Sequence, residues 1–193
     1  MRAFRRTTGR VAVLDRGDVD TDQIIPKQFL KRIERTGYGE FLFHDWRQDP
    51  AFELNRPEYA GATILVTGRN FGCGSSREHA AWALQDYGFE VVIAPSFGDI
   101  FAGNASQIGL VLIALADDRV RELMGARELT VDLEAQTISD LEGRAIPFDF
   151  DPFRRHRLVN GLDDIGLTLE HEPAIAAFES GRSALIDTKS LPA

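Results

Sequence analysis

Hydrophobic positions along the chain fall into short runs that are separated by glycine-rich or charged segments. Four runs are apolar, mostly β-branched or leucine-rich and bounded by polar or turn residues, which is typical of strands: residues 11–14, 62–67, 91–94 and 110–115. Residues 80–87 are good helix formers and stop before Gly88, a common residue just after a helix. Strand, glycine loop, helix and strand in this order predict a βαβ unit and therefore an α/β fold.

The remaining pattern predicts smaller elements around this unit. A short helix or turn is expected to open at residues 95–101, and a short helix at 117–125. Residues 129–133 and 137–138 alternate as in a hairpin, and Phe148 and Phe150 continue the β pattern. Aromatic residues crowd the segment 38–60, which predicts a packed connection, and a last helix carries Ile175, Ala176 and Phe178 and stops at Gly181. Without internal repeats or a composition break, residues 1–193 are expected to form one domain, with a flexible tail from about residue 182.

The glycine loop at residues 68–79 carries the densest set of candidate site residues. It follows a strand of the βαβ unit, and open α/β sheets bind ligands at the carboxyl ends of their strands. Gly72 and Gly74 allow positive φ angles and a close approach of the backbone to a ligand.

Ser75, Ser76 and Arg77 complete this loop just before the helix. Free N–H groups and the positive end of the dipole favour an anion at a helix start, and arginine offers a forked donor for carboxylate or phosphate. The loop therefore predicts an anion site with a hydroxyl at its centre. Ser75 and Glu78 fit a capping box equally well, so an ordinary helix cap is an open alternative.

Two phosphate-binding motifs are excluded by the residues themselves. The third glycine of the dinucleotide fingerprint is replaced by Arg77, and no Gly-Lys-Ser/Thr of a P-loop occurs. Nucleotide binding therefore has no specific support.

The composition further limits the classes of protein to which the chain can belong. The net charge of −8 argues against a nucleic-acid binder, although local arginines can still hold an anionic substrate. No apolar run approaches the roughly 20 residues of a membrane span and no secretory signal is visible, so a cytoplasmic protein is expected.

Metal chemistry has little support within the chain. Cys73 is its only cysteine, whereas an iron–sulfur cluster needs about three or four thiolates. The four histidines show no metal-ligand spacing. No metal site is therefore expected in this chain.

Four segments carry a resemblance to a known family. Residues 70–80 (Asn-Phe-Gly-Cys-Gly-Ser-Ser-Arg-Glu-His-Ala) are similar to the signature of the swivelling domain of the aconitase superfamily. Residues 20–30, 94–101 and 153–169 resemble the small subunits of 3-isopropylmalate dehydratases, and the likeness continues in order to about residue 180.

The resemblance implies a fold, a partner and a reaction. The fold would be a three-layer β/β/α swivelling domain. The partner would be a large subunit that holds a 4Fe-4S cluster, without which this chain is inactive. The reaction of this heterodimer would be a hydro-lyase isomerisation of 2-isopropylmalate and 3-isopropylmalate through 2-isopropylmaleate, in leucine biosynthesis.

The resemblance also assigns roles to residues. Ser75 matches the family's general base, and Ser76 and Arg77 match residues that bind the substrate carboxylate. Asp22 matches an active-site aspartate, although Asp20 to Asp22 alone would favour an Asx-type turn. Phe29, Leu30, Lys31 and Arg32 match a loop over the variable side chain of the substrate, or alternatively form a solvated helix face.

Two further features keep alternatives open. Cys73 stands where mitochondrial-type aconitases have an acidic residue, which implies a small buried side chain beside the site, with redox sensitivity as the alternative. The basic cluster at 154–157 is expected to be a solvated or subunit-facing patch, or alternatively to steer a dicarboxylate or dock the partner.

Other functions compete with the first. The nearest is the small subunit of a homoaconitase or citraconate-type hydratase, and the residue 29–32 loop should discriminate between them. The other is a non-catalytic anion-binding module built on the same helix start.

Overall fold

The computed structural model describes residues 1–32, 34 and 36–181 of the chain. Within these ranges the strands are β1 (Arg6–Leu14), β2 (Ile64–Thr67), β3 (Val91–Ala94), β4 (Val111–Ala114), β5 (Glu128–Asp132), β6 (Thr137–Asp140) and β7 (Ala145–Pro147). The α-helices are α1 (Thr21–Ile24), α2 (His44–Arg47), α3 (Glu78–Tyr87), α4 (Asp99–Ile108), α5 (Asp117–Leu123), α6 (Pro152–Asn160), α7 (Asp164–Leu169) and α8 (Glu172–Gly181). Short 3-10 helices lie at Lys27–Lys31, Gly39–Phe41, Glu53–Asn55 and Pro57–Tyr59.

The seven strands form one mixed sheet in the order β4-β3-β2-β1-β5-β6-β7. The long strand β1 joins its two halves. Residues 6–10 of β1 pair antiparallel with β5, and residues 11–14 pair parallel with β2. One strand therefore connects a parallel half, β4 to β1, with an antiparallel half, β1 to β7.

Two hydrophobic cores show how these halves are layered. The apolar side chains of the parallel strands alternate between the cores, so that Ile64 and Val66 enter one and Leu65 the other. The core that contains Ile64 and Val66 also receives Val131 and Ile138 from the antiparallel half, and thus lies between two β layers; it is called the β-layer core below. The other core, called the helical core below, lies between the parallel strands and the helices. It contains side chains of α3 and α4: Ala80, Ala81, Ala83, Leu84, Phe101 and Ala105. The implied three-layer β/β/α arrangement is confirmed.

The central parallel strands are buried on both faces of the sheet, which explains why they could be predicted from the sequence. Every residue of β2 and β3 is buried, which is the reason for their continuous apolar runs. Helix α3 ends as predicted, with Gly88 in the left-handed region at φ 117°. The predicted hairpin corresponds to β5 and β6, and the predicted last helix corresponds to α8.

Three elements differ from the sequence predictions. The short helix or turn expected to open at residues 95–101 is a longer element, the ten-residue helix α4, which begins at Asp99. Strand β7 ends at Pro147, so Phe148 and Phe150 lie beyond it, packed with the β-layer core instead of extending the sheet. Helices α6 and α7 were not predicted, although Asp151 before Pro152 and Gly161 after Asn160 are the usual signals of a helix start and end.

The expected tail from about residue 182 lies outside the described residues. No helix within the described part of the chain is long and apolar enough to cross a membrane.

Candidate active site

Three loops meet at the carboxyl ends of β1, β2 and β3. Backbone hydrogen bonds join the loop after β1 to the glycine loop, with Gly72 N–H donating to Val19 O at 2.7 Å. Others join the glycine loop to the loop after β3, where Phe71 N–H donates to Ser96 O at 3.0 Å and Gly98 N–H to Phe71 O at 2.9 Å. The candidate site residues therefore lie on a framework of connected loops, at the edge where open α/β sheets bind ligands.

Helix α1 places Asp22 at this edge. Its start is a capping box, in which the Asp20 carboxylate accepts from Gln23 N–H and the Gln23 side chain accepts from Asp20 N–H, both at 2.8 Å. The Asx-type hydrogen bonding expected for this acidic segment is thus made by Asp20. Asp22 lies in the first turn with its carboxylate turned outward.

Asp22 forms a two-point ion pair with Arg77. Arg77 Nη1 lies 2.5 Å from Asp22 Oδ1, and Nη2 donates to Oδ2 at 2.6 Å. The hydrogen bond from Arg77 lowers the pKa of Asp22 and outweighs the opposing effect of burial, and the Arg77 charge and, to a smaller extent, the amide and charge of Lys27 lower it further. Two residues that are 55 positions apart are therefore brought together as the sequence resemblance implied.

The Arg77 side chain is more buried than its partner, at 13% exposure against 51% for Asp22. Its Nη1 atom is buried and, despite the short contact with Asp22, makes no hydrogen bond of acceptable geometry to any atom of the described residues. Asp22 therefore neutralises the Arg77 charge, and an anionic ligand could still offer Nη1 a better-aligned acceptor.

The glycine loop has the backbone that was expected of it. Gly72 and Gly74 have φ angles of 74° and 90°. A Cβ atom at Gly72 would lie 2.3 Å from the Phe101 ring, so this position also requires glycine for close packing.

The predicted capping role of Ser75 is wrong. Helix α3 begins at Glu78, and its N-cap is Arg77, which makes no side-chain capping bond. The physical reason is that Thr21 holds the loop upstream of the helix: Thr21 N–H donates to Cys73 O at 2.9 Å, and its hydroxyl donates to Ser75 O at 2.8 Å. Ser75 and Ser76 are exposed and precede the helix, so the Ser75 hydroxyl is not used as a cap.

The segment matched to the specificity loop packs largely on its own protein. Phe29 stacks on Phe41 with ring centroids 4.2 Å apart, and Leu30 lies against the helical core. Arg32 lies over the Phe41 ring and pairs with Glu40 at 3.3 Å, while Lys31 is exposed. Residues 27–31 form a short 3-10 helix, which agrees with the alternative of a solvated helix face packed through its apolar residues, and the role of the segment in substrate choice stays a prediction.

Cys73 and His79 border the loop without forming a metal site. Burial raises the pKa of the Cys73 thiol, and the charges of Asp20 and Asp18 add to the effect, which disfavours the reactive thiolate. Among the residues that the structure describes, no group of three or more histidine, cysteine or acidic side chains could hold a metal ion.

The basic cluster at 154–157 is bound mostly to its own domain. Arg157 is nearly buried and donates to Asp164 at 2.8 Å, linking α6 to α7. Arg155 donates to Gln136, His156 lies 3.2 Å from Glu170, and Arg154 is exposed. The expectation of a uniformly solvated or subunit-facing patch is therefore wrong for Arg157.

Comparison with known proteins shows the family of the chain. The family model described as the aconitase C-terminal domain matches residues 1–118, which include Asp22, Ser75 and Arg77. The model described as the C-terminal domain of the 3-isopropylmalate dehydratase small subunit matches residues 164–185. A 3-isopropylmalate dehydratase small subunit from Acidobacterium capsulatum is 58% identical over 93% of this chain and 90% of its own length. The chain belongs to the 3-isopropylmalate dehydratase small-subunit family.

Other members of the family support the same assignment. The Bacillus subtilis 3-isopropylmalate dehydratase small subunit is 55% identical over 95% of this chain and 98% of its own length. A solved structure of a 3-isopropylmalate dehydratase from Methanocaldococcus jannaschii superposes with a TM-score of 0.67 at 27% identity, covering 90% of this chain and 99% of that one. The resemblance drawn from the sequence is therefore confirmed, and with it the fold of the family.

Sequence reasoning missed two residues that shape the site. Asp20 makes a capping box at the start of α1, and the Asp-x-x-Gln spacing of residues 20–23 would have indicated it. Thr21 links the loop after β1 to the glycine loop through its hydroxyl, and no local sequence pattern predicts a hydrogen bond to Ser75, 54 positions away.

Proposed function

We propose that this chain supplies the general base and the carboxylate-binding residues of a two-subunit hydro-lyase. The complex would interconvert 2-isopropylmalate and 3-isopropylmalate through 2-isopropylmaleate, in leucine biosynthesis. The observation that carries the proposal is the pairing of Asp22 with Arg77 beside the exposed Ser75, on loops of a chain that belongs to this family.

Ser75 is the proposed base. A serine hydroxyl removes a proton well only when its alkoxide is stabilised by nearby donors. Candidate donors are the backbone N–H groups of residues 74–76, the N–H groups at the start of α3, which have no side-chain cap, and the guanidinium of Arg77. Ser75 would take the proton from the carbon next to the hydroxyl-bearing carbon and return it to the other carbon after the double bond has formed.

Arg77 and Ser76 are the proposed contacts of a substrate carboxylate. Asp22 holds the guanidinium in place through both Nη atoms, and the buried Nη1 contacts Asp22 without the alignment of a hydrogen bond. A substrate carboxylate would offer Nη1 a better-aligned acceptor, which makes a dicarboxylate substrate chemically suitable.

The Lewis-acid part of the reaction is not assigned to this chain. Cys73 is a single thiol with a raised pKa, and the described residues offer no metal-binding cluster. We propose that a large subunit holds a 4Fe-4S cluster and closes the site over the exposed Ser75. Ser75, Ser76 and Arg77 then act only on the proton and the carboxylate.

Substrate choice is proposed to involve the segment Phe29 to Arg32. Arg32 is already paired with Glu40 and stacked on Phe41, so it is less available for a further substrate carboxylate. This arrangement favours isopropylmalate over homoaconitate, whose additional carboxylate would need another cationic contact.

The test is reconstitution with the large subunit of the same organism under anaerobic conditions. Hydration of 2-isopropylmaleate, followed by its absorbance, is expected only when both chains are present. Arg77→Lys, which loses the forked contact, should raise KM, because lysine cannot bind a carboxylate and Asp22 in the same geometry. Arg121→Lys makes the same exchange at an exposed arginine of α5 and serves as the matched control.

Two outcomes would contradict parts of the proposal. Turnover of homoaconitate or citraconate but not of 2-isopropylmaleate would overturn the named substrate. Full activity of either chain alone would overturn the shared site.

A further inference from the structure

The glycine loop contains a conformationally permissive residue, Gly74, directly before the proposed base Ser75. Gly74 has a φ of 90° and no side chain, so the peptides on either side of it have little intrinsic restraint. A hydroxyl that must meet a substrate proton has to be held in a defined position, because small displacements cost large factors in rate. Something outside the loop must therefore restrain Ser75.

Thr21 makes the bonds that supply this restraint. Its N–H donates to the carbonyl of Cys73 at 2.9 Å, and its hydroxyl donates to the carbonyl of Ser75 at 2.8 Å. The two bonds lie on opposite sides of Gly74, and they fix the backbone on both sides of the glycine.

Thr21 is itself rigidly held. It is 2% exposed, it is the first residue of α1, and its own carbonyl accepts from Ile25 N–H at 3.0 Å. The Asp20–Gln23 capping box fixes the start of the same turn. A buried, β-branched side chain on a capped turn is a suitable fixed point for a flexible loop.

The same turn also carries Asp22, which is paired with Arg77. Neighbouring residues of α1 thus hold the two parts of the proposed site separately: Thr21 holds the Ser75 carbonyl, and Asp22 holds the guanidinium. This separation allows the two effects to be measured independently.

We propose that Thr21 is a positioning residue for the reaction, and that its hydroxyl aligns Ser75 through the Ser75 carbonyl. This inference rests on the proposed role of Ser75 as the base. It assigns Thr21 no contact with the substrate, and it predicts that loss of the hydroxyl lowers kcat while KM is preserved.

The test compares Thr21→Val with Thr21→Ser in the complex with the large subunit. Valine keeps the shape of the buried side chain and removes the donor, and serine keeps the donor. Thr21→Val should lower kcat by about 10- to 100-fold with little change in KM. Thr21→Ser should restore most of the lost kcat.

Thr67→Val is the matched control for loss of a buried hydroxyl. Thr67 is also fully buried, and its hydroxyl donates to the backbone carbonyl of Arg16 at 3.5 Å. That carbonyl also accepts from Gly68 N–H, so it keeps a partner in the variant. Thr67→Val should therefore retain the kcat of the wild type even if it unfolds at a slightly lower temperature.

A double-variant comparison separates failure of this inference from failure of the proposed base. If Ser75→Ala abolishes most activity, adding Thr21→Val to it should lower kcat little further, because Thr21 acts through Ser75. A raised KM with unchanged kcat in Thr21→Val, or equal losses in Thr21→Val and Thr67→Val, would overturn the positioning role alone. Retention of activity by Ser75→Ala would overturn the proposed base and this inference together.

Discussion

At the scale of single residues, the close contact between Gly72 and Phe101 makes the loop sensitive to one added carbon. A Cβ atom at Gly72 would lie 2.3 Å from the ring of Phe101, which is buried in the helical core. Gly61 has a similar φ, 71° against 74°, but open space around it. A comparison of alanine substitutions at Gly61 and Gly72 therefore separates the conformational cost of replacing glycine from the packing cost.

We expect Gly61→Ala to lower the free energy of unfolding by about 1–2 kcal/mol, the usual cost of a left-handed backbone for alanine. Gly72→Ala should lower it by clearly more and should also reduce kcat in the complex, because Phe101 and the loop must move apart. Urea unfolding of both variants measures the difference. Equal losses of stability in the two variants would show that the ring contact is unimportant.

His79 gives the stability of the chain a defined pH dependence. Burial against Tyr38 and Trp82 lowers its pKa below the ordinary value of 6.5, and the Glu78 charge opposes this less strongly. Between its lowered folded pKa and pH 6.5, the unfolded chain therefore binds a proton at His79 that the folded chain does not bind. The contribution of His79 to stability is thus lost as the pH falls from 6.5 toward its folded pKa.

A fall from pH 7.5 to 5.5 should therefore destabilise the wild type more than His79→Gln. Urea midpoints at the two pH values measure this, and the comparison cancels the pH effects that the two proteins share. An identical pH slope in the two proteins would contradict the assignment.

At the scale of elements, Arg157 links α6 to α7, two helices that were not predicted from the sequence. Its side chain is 10% exposed and donates to Asp164, which is 75% exposed, at 2.8 Å. Removal of Arg157 leaves the carboxylate in water but loses a charged hydrogen bond and the packing of the arginine stem.

Arg157→Met should lower the free energy of unfolding by about 0.5–1.5 kcal/mol, the usual net contribution of a hydrogen bond, because water screens the exposed Asp164. Arg154→Met is the control within the same cluster, because Arg154 is exposed, and it should change stability by less than about 0.5 kcal/mol. Thermal unfolding of both variants tests the difference. A larger loss in Arg154→Met would show that the cluster acts through its exposed member.

The elements that could be predicted from sequence are those whose burial leaves a local pattern. Strands β2 and β3 are buried on both faces and were found as apolar runs, and Gly88 marked the end of α3. Helix α6 has a polar sequence and was missed, although its Asp-Pro start and glycine end are local signals.

The site was only partly predictable for the same reason. The positive φ of Gly72 and Gly74 follows from their residue type, and the roles of Asp22 and Arg77 came from the family resemblance. The start of α3 was misplaced because Thr21 holds the Ser75 carbonyl across 54 residues, and such a bond is decided by the tertiary structure. The partners of β1 were unpredictable as well, since one strand serves both halves of the sheet.

At the scale of the whole molecule, the curled sheet presents Ser75 on an exposed edge and not in an enclosed pocket of its own chain. Ser75 and Ser76 are exposed, whereas Thr21 beneath them is buried. A general base needs a protected environment to act well, and a second subunit placed over this edge would provide it. The account therefore depends on Ser75 being the base of the assembled complex.

The most direct measurement is solvent exchange of the substrate hydrogen. The reconstituted complex is incubated with 2-isopropylmalate in deuterated water, and deuterium at the carbon next to the hydroxyl-bearing carbon is followed by NMR. Removal of a general base lowers such rates by about 10²- to 10⁴-fold, so Ser75→Ala should show a loss of this size while the complex remains assembled. Exchange by Ser75→Ala at nearly the wild-type rate would contradict the account.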